Sequence, residues 1–317
     1  MRSVHYSVLK EEVFEFLSPK VKNGLLIDGT LGEGGHAELF LQRMDSARVI
    51  GIDADKEILS RARERCMPFA DRIRYFNMWF NTFFSQYPLG DERPDAILFD
   101  LGISSFHYKQ AGRGFTFEKD EPLDMRLDDT LEISASDIVN TYPEKELADI
   151  IFEFGEERYS RRIARFIAEF RKKNTIETTG QLKDIIWKAV PQQYRHGRIH
   201  PATRTFQALR ILVNGELARL KITLQDALNV LKVGGRMGVI SFHSLEDRIV
   251  KEFFREKNKS CTCPPEWPMC KCGGERIVTI LTKKPVPPKE QEISINPPSR
   301  SAKLRVIEKL REEESVE

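Results

Sequence analysis

Short apolar runs separated by helical spacing constrain this chain most. Leu25–Asp28, Arg48–Asp53, residues 72–77 and residues 95–100 each read as a strand, and three of the four end in an acid. Between them, residues 34–44 and 55–66 carry helical spacing, with Ile58, Leu59 and Ala62 on one face. Continuous apolar strands alternating with helices imply a parallel sheet covered on both faces. The pattern breaks at about Phe106, and up to Asn214 only helices are expected, at 146–154, 158–172, 181–189 and 205–214. It resumes with a helix at 216–231, a Gly234-Gly235 turn, a strand over Arg236–Ser241 and a helix at 245–257. Strands follow at 277–282 and 303–308, and Pro285, Pro287, Pro288, Pro297 and Pro298 between them predict a loop. The expectation is an α/β chain whose sheet domain, residues 1–105 and 215–317, is interrupted by an all-helical insertion at 106–214.

A length of 317 residues suits that division and can bury a large core without staples. No apolar run approaches the roughly 20 residues of a membrane span, and no secretory leader is visible. Five cysteines, an odd number in a long chain, point to a reducing compartment, and the cytoplasm is expected. The net charge of +2 hides an asymmetry. Residues 158–210 hold 13 Lys and Arg against 3 acids, whereas 118–157 hold 14 acids against 3 bases. Such a basic block suits a polyanion, or else pairs with its acidic neighbour.

Asp28-Gly29-Thr30-Leu31-Gly32-Glu33-Gly34-Gly35-His36 joins a strand to a helix. Glycines there let backbone approach a ligand, and the helix offers free amides. Asp53, ending the next strand, can hold the two ribose hydroxyls of a nucleoside. NAD and S-adenosylmethionine both fit that pattern. The loop departs from G-x-G-x-x-G, and the fourth strand ends in Asp100-Leu101-Gly102-Ile103-Ser104-Ser105, which favours S-adenosylmethionine. An acid at that place suits methylation of an exocyclic amine. The nitrogen lone pair is delocalised into the ring, and an acceptor on its N–H groups would localise and aim it. Asp100 could equally contact the cofactor.

Six motifs in order, Asp28-Gly29-Thr30 with Gly34-Gly35-His36, Asp100 to Ser105, Gly114-Phe115-Thr116-Phe117, Pro122 to Arg126, His200 to Arg210 and Ser241 to Arg248, resemble the bacterial 16S ribosomal RNA cytosine-N4 methyltransferases of the MraW type. The resemblance runs from His5 to about Arg305. It implies a Rossmann-like, S-adenosylmethionine-dependent fold with a helical insertion, and methylation of a decoding-region cytosine in the small subunit. It also implies cofactor contacts from Gly34, Gly35, His36, Asp53, Phe80 and Asp100. His107 stands where the family usually has glutamine, and imidazole can still donate or accept. The insertion would supply RNA phosphate contacts, which give affinity and register more than base identity. Asp100 is the expected catalytic acid, with Ser104, Ser105, His200, Arg204, Phe242 and His243 around the substrate. Phe242 serves equally well as core or as a face for an unstacked base. The expected partner is 16S rRNA in the small ribosomal subunit, with no membrane and with monomer and homodimer both open. No metal is assigned, although Cys261, Cys263, Cys270 and Cys272 form a C-x-C-x6-C-x-C set able to hold zinc. Cys66 is expected in the core. Methylation of DNA or protein, and a non-catalytic cofactor-sensing assembly factor, are the rival readings.

Overall fold

The computed structural model describes residues 7–21, 24–109, 111–260, 268–269 and 276–313. Its strands are β1 (Leu25–Asp28), β2 (Arg48–Asp53), β3 (Ile73–Asn77), β4 (Ala96–Asp100), β5 (Arg236–Ser241), β6 (Val278–Ile280) and β7 (Lys303–Lys309). The helices run in chain order from α1 (Lys10–Val21) through α2 (Gly35–Arg43), α3 (Lys56–Arg65) and α4 (Phe80–Gln86) to α5 (Ser105–Lys109) and α6 (Ala135–Thr141). They continue as α7 (Glu144–Gly155), α8 (Ser160–Arg171), α9 (Thr179–Ala189), α10 (Gln192–Arg195) and α11 (Ala202–Asn214). The last three are α12 (Glu216–Val230), α13 (Ser244–Lys257) and α14 (Glu290–Ile295).

The chain forms two compact units, one of residues 1–102 and 217–317 and the other of residues 103–216. The first is built on a seven-stranded sheet of order β3-β2-β1-β4-β5-β7-β6. Strands β1 to β5 are parallel, while β7 runs antiparallel to both β5 and β6. Strand order reverses between β1 and β4, so the crevice of an open α/β sheet lies at their carboxyl ends. Each face has its own core. Phe40, Leu59, Leu26 and Leu304 lie in one, and Phe83, Phe99, Ile50 and Leu224 in the other. Strands buried on both faces have no polar side to show, which explains their unbroken apolar sequence.

The second unit has no named strand among its described residues, and its core gathers Leu147, Ile163, Ile167, Leu182, Ile186 and Leu209. Helix α8 buries Ile163, Ala164 and Ile167 and leaves Arg161, Arg162 and Arg165 exposed.

The proline-rich stretch departs from expectation. It holds α14 and a 3-10 turn at Pro297–Ser301 instead of unbroken loop. Residues 289–296 contain no proline, so the prolines bracket a helix without interrupting it. Prolines at the start of the 3-10 turn sit where their missing N–H costs nothing.

Candidate active site

The site begins where β1 stops. Asp28 ends it, the chain turns through Gly29 to Gly34, and α2 starts at Gly35. Gly34 sits at φ 79°, a left-handed conformation that a side chain would strain. A Cβ on Gly35 would stand 2.0 Å from Ser7 Oγ. Hydrogen bonds stitch the loop to its neighbours. Gly29 N–H donates to the Leu98 carbonyl at 2.9 Å, and Leu31 N–H to that of Ile52 at 2.8 Å. Thr30 Oγ1 accepts from the Asp100 N–H at 2.5 Å, and Asp53 Oδ2 accepts from Gly32 N–H at 2.9 Å. The loop is therefore held across the ends of β2 and β4.

Three acids end three adjacent strands: Asp53 on β2, Asp28 on β1 and Asp100 on β4. Asp28 is 1 % exposed, and among the described residues its Oδ1 accepts only a long 3.3 Å bond from Thr30 N–H. Burial pushes its carboxyl up to about 7, against the opposing pull of His36. Among the described residues, Asp28 Oδ2, Asp100 Oδ1 and both ring nitrogens of His36 are buried without a hydrogen-bond partner. His36 Nε2 lies 3.5 Å from Asp100 Oδ2. An unsatisfied buried polar group costs about 1–3 kcal/mol, so a cluster of them implies a ligand that satisfies them.

Asp53 also accepts the Asp55 N–H through Oδ1 at 2.9 Å. One N–H on each carboxylate oxygen fixes its orientation and leaves further lone pairs for hydroxyls. Phe80 opens α4 after β3, half-buried, its ring 5.8 Å from Phe99 and edge-on. Beside it the Arg219 guanidinium lies 4.0 Å from the Trp79 ring centroid and donates to Asn81 Oδ1 at 2.8 Å. These residues fit S-adenosylmethionine: acceptors for its ammonium, an acid for its ribose and rings beside its base.

Phe242 and His243 follow β5. The Phe242 ring lies against Gly102, where a Cβ would stand 3.5 Å from Cδ2. His243 caps α13. Its Nδ1 accepts from Glu246 N–H at 3.4 Å, while Glu246 Oε2 accepts from the Phe242 and His243 N–H groups at 2.8 and 3.3 Å. The imidazole thus has a structural task that its sequence position did not advertise.

The remaining candidates belong to the second unit. Ser104 Oγ lies 3.3 Å from His107 Nδ1 and accepts the Phe106 N–H at 3.2 Å. The His107 ring is buried, 5.6 Å from Phe106 and 5.3 Å from Phe115. The Ser105 side chain lies outside the described residues, as do Cys261, Cys263, Cys270 and Cys272. His200 stacks on Phe117 at 4.8 Å and on Trp187 at 5.6 Å, and its Nδ1 accepts the Ala202 N–H at 3.1 Å. Burial, helped by Lys183, lowers its pKa and favours the neutral ring. Arg204 Nη1 donates to the Glu156 carbonyl at 2.6 Å, closing the end of α7, and Arg210 grips Glu216 through two 2.9 Å bonds. Asp124 and Arg126 pair with each other at 2.7 and 2.8 Å. Cys66 is core, its thiol pushed up to about 11 by burial.

Sequence reading passed over Thr30 as the tie to β4, and over Asp28 as a site residue in its own right. A carboxylate closing an apolar strand was the available signal, and it recurs at Asp53 and Asp100.

A parallel sheet with β7 reversed, a glycine loop after β1 and acids at the strand ends define a Rossmann-like, S-adenosylmethionine-dependent methyltransferase. The chain belongs to the MraW methylase family, whose model matches residues 2–310. It is 57% identical over 315 residues to the ribosomal RNA small subunit methyltransferase H of Treponema denticola, covering 99% of this chain and 100% of that one. Proteins of the same name from Geobacter sp. and Clostridium botulinum are 49% and 46% identical, over 96% and 98% of this chain and 98% and 100% of their own lengths.

Proposed function

We propose that this enzyme methylates 16S rRNA of the small ribosomal subunit, at N4 of a cytosine in the decoding region. Support comes from the full-length similarity to relatives named for small-subunit rRNA methylation. The observation that carries the choice of an amino nitrogen is Asp100, whose buried Oδ1 has no partner among the described residues at the carboxyl end of β4. When bound, S-adenosylmethionine supplies an electrophilic methyl group.

In this reading Asp28 and His36 hold the cofactor's amino-acid end beside the Gly34–Gly35 turn. Asp53 takes the ribose hydroxyls, and Phe80 borders the base. Asp100 accepts an N–H of the cytosine amino group, which localises the nitrogen lone pair and offsets the positive charge that would grow there as the N–C bond forms and the methyl's bond to sulfur breaks; the surplus amino proton then leaves to solvent. Phe242 offers a ring face to a base removed from its stack. Ser104, Ser105, His200, Arg204 and His243 stay candidates for substrate positioning, and His107 stays a candidate cofactor contact. For His200 and Arg204 the contacts described above favour organising α11 and α7. The exposed arginines of α8 contact RNA phosphates. Such a substrate is met in the cytoplasm, and among the described residues no helix is long and apolar enough to cross a membrane.

The test incubates the purified protein with methyl-labelled S-adenosylmethionine and small subunits from cells lacking this enzyme, then identifies the labelled nucleoside. N4-methylcytidine with the wild type and a loss of at least about 100-fold with Asp100→Ala are expected. Label in another nucleoside would refute the cytosine-N4 assignment. Equal label from Asp100→Ala would remove the acid from the chemistry.

A further inference from the structure

A cleft on the first unit, away from the strand-end acids, has no part in the reaction outlined above. It encloses about 240 Å³ between α13 and the β6–β7 edge. Lys251, Arg255, Lys283, Lys284 and Arg305 line it, and among the described residues no carboxylate does. Arg305 is paired with Asp247, 2.8 Å away. Lys251, Arg255, Lys283 and Lys284 have no anionic partner among the described residues. Four uncompensated like charges around one concavity repel each other, and low-dielectric walls such as Phe254 focus their field. An anion entering the cleft relieves that repulsion.

Position narrows the kind of anion. Strand β6 is parallel to β5, because both run antiparallel to β7. Thr282, Lys283 and Lys284 follow its carboxyl end, and Arg305 lies near the start of β7. The cleft therefore opens at the same end of the sheet as Asp28, Asp53 and Asp100. Three strand steps separate β4 from β6, or about 15 Å. A polyanion whose reacting base lies at Asp100 would have its own backbone within reach of the cleft.

We propose that this cleft is a second RNA-backbone site, binding phosphodiesters that flank the target nucleotide. The inference rests on RNA being the substrate. Its contacts are to phosphate, so it supplies affinity and register without reading sequence.

The experiment measures binding of a short fluorescein-labelled decoding-region RNA to the full chain across a KCl series. The Lys251→Ala/Lys283→Ala/Lys284→Ala variant should bind at least about tenfold more weakly at low salt. Its plot of log affinity against log salt should be shallower by about 2, since each phosphate contact to a single strand contributes about 0.7. Equilibrium dialysis should show unchanged S-adenosylmethionine binding. A Lys145→Ala/Lys221→Ala control, removing two exposed lysines elsewhere, should keep the wild-type slope. Wild-type affinity and slope in the triple variant would overturn the proposal, as would an equal loss in the control. If the triple variant loses binding of inorganic phosphate but keeps RNA affinity, the cleft is a small-anion site and the proposal also fails. Binding is read without methyl transfer. A protein that uses the cleft but methylates a different atom would refute only the cytosine assignment.

Discussion

Asp28 is a carboxyl group in a place that disfavours its charge. Its pKa, about 7, lies above the usual carboxylate value because burial opposes ionisation. A group raised in the folded state contributes stability that is full below its unfolded pKa and is lost as pH rises through the folded one. Between about pH 4 and pH 7 the ligand-free wild type should therefore lose stability relative to Asp28→Asn. The difference is on the order of a few kcal/mol, because each tenfold change in proton affinity is worth about 1.4 kcal/mol. Thermal melts of both proteins across that range check it, and parallel pH profiles would refute it. S-adenosylmethionine at saturating concentration should narrow the gap at pH 8 by giving the ionised acid a cationic partner. Residue chemistry of this kind was half legible. The acid at the strand end was visible in sequence, whereas its burial and its unsatisfied oxygen were not.

At the level of elements, α13 shows how a candidate catalytic residue can also hold a helix. Removing an N-cap costs about 1 kcal/mol. His243→Ala should therefore lower the melting temperature by about 2–4 °C, and His243→Asn, which still offers an acceptor, should restore most of it. If His243→Asn keeps full methyl transfer, the imidazole serves the cap. If it folds but does not methylate, the ring takes part in the chemistry. Elements differed in how far they could be read. Strands β1, β2 and β5 were legible to the residue, because burial on both faces leaves an unbroken apolar run. Helix α4 was not, since seven residues rich in phenylalanine carry no helical signature and are held by packing of Phe83 and Phe84 in the core. Helix α1 escaped too, although Val13 and Leu17 are fully buried at helical spacing.

The whole molecule carries separate cores in its two units, and among the described residues the second unit's core is built from residues within 103–216. Expressed alone, residues 103–216 should give a helical circular-dichroism spectrum and a cooperative thermal transition. A chain stopped after Gly102 should not fold, because β4 would lose β5 as its partner and the sheet its β5–β7–β6 edge. A featureless melt from the 103–216 fragment would show that its core depends on the rest of the chain. The charge asymmetry also belongs to this scale. Both the acidic and the basic blocks lie in the second unit, where the basic block's Arg165 and Arg210 pair with Glu169 and Glu216 and the outer face of α8 stays cationic.

Sequence by itself determined the alternation of strands and helices, the glycine loop, the three strand-end acids and the family. Each of these is written in local pattern: period, turn chemistry and residue order. Which polar groups lack partners among the described residues, which arginines are already engaged and where lysines converge came from tertiary structure. Those outcomes depend on residues far apart in the chain. Asp100 meets Thr30 across 70 positions, and Lys251 shares a cleft with Lys284 only because β6 and α13 pack side by side. A hydrogen bond or a charge is satisfied or not by what lies within a few ångströms of it, and sequence distance carries no record of that.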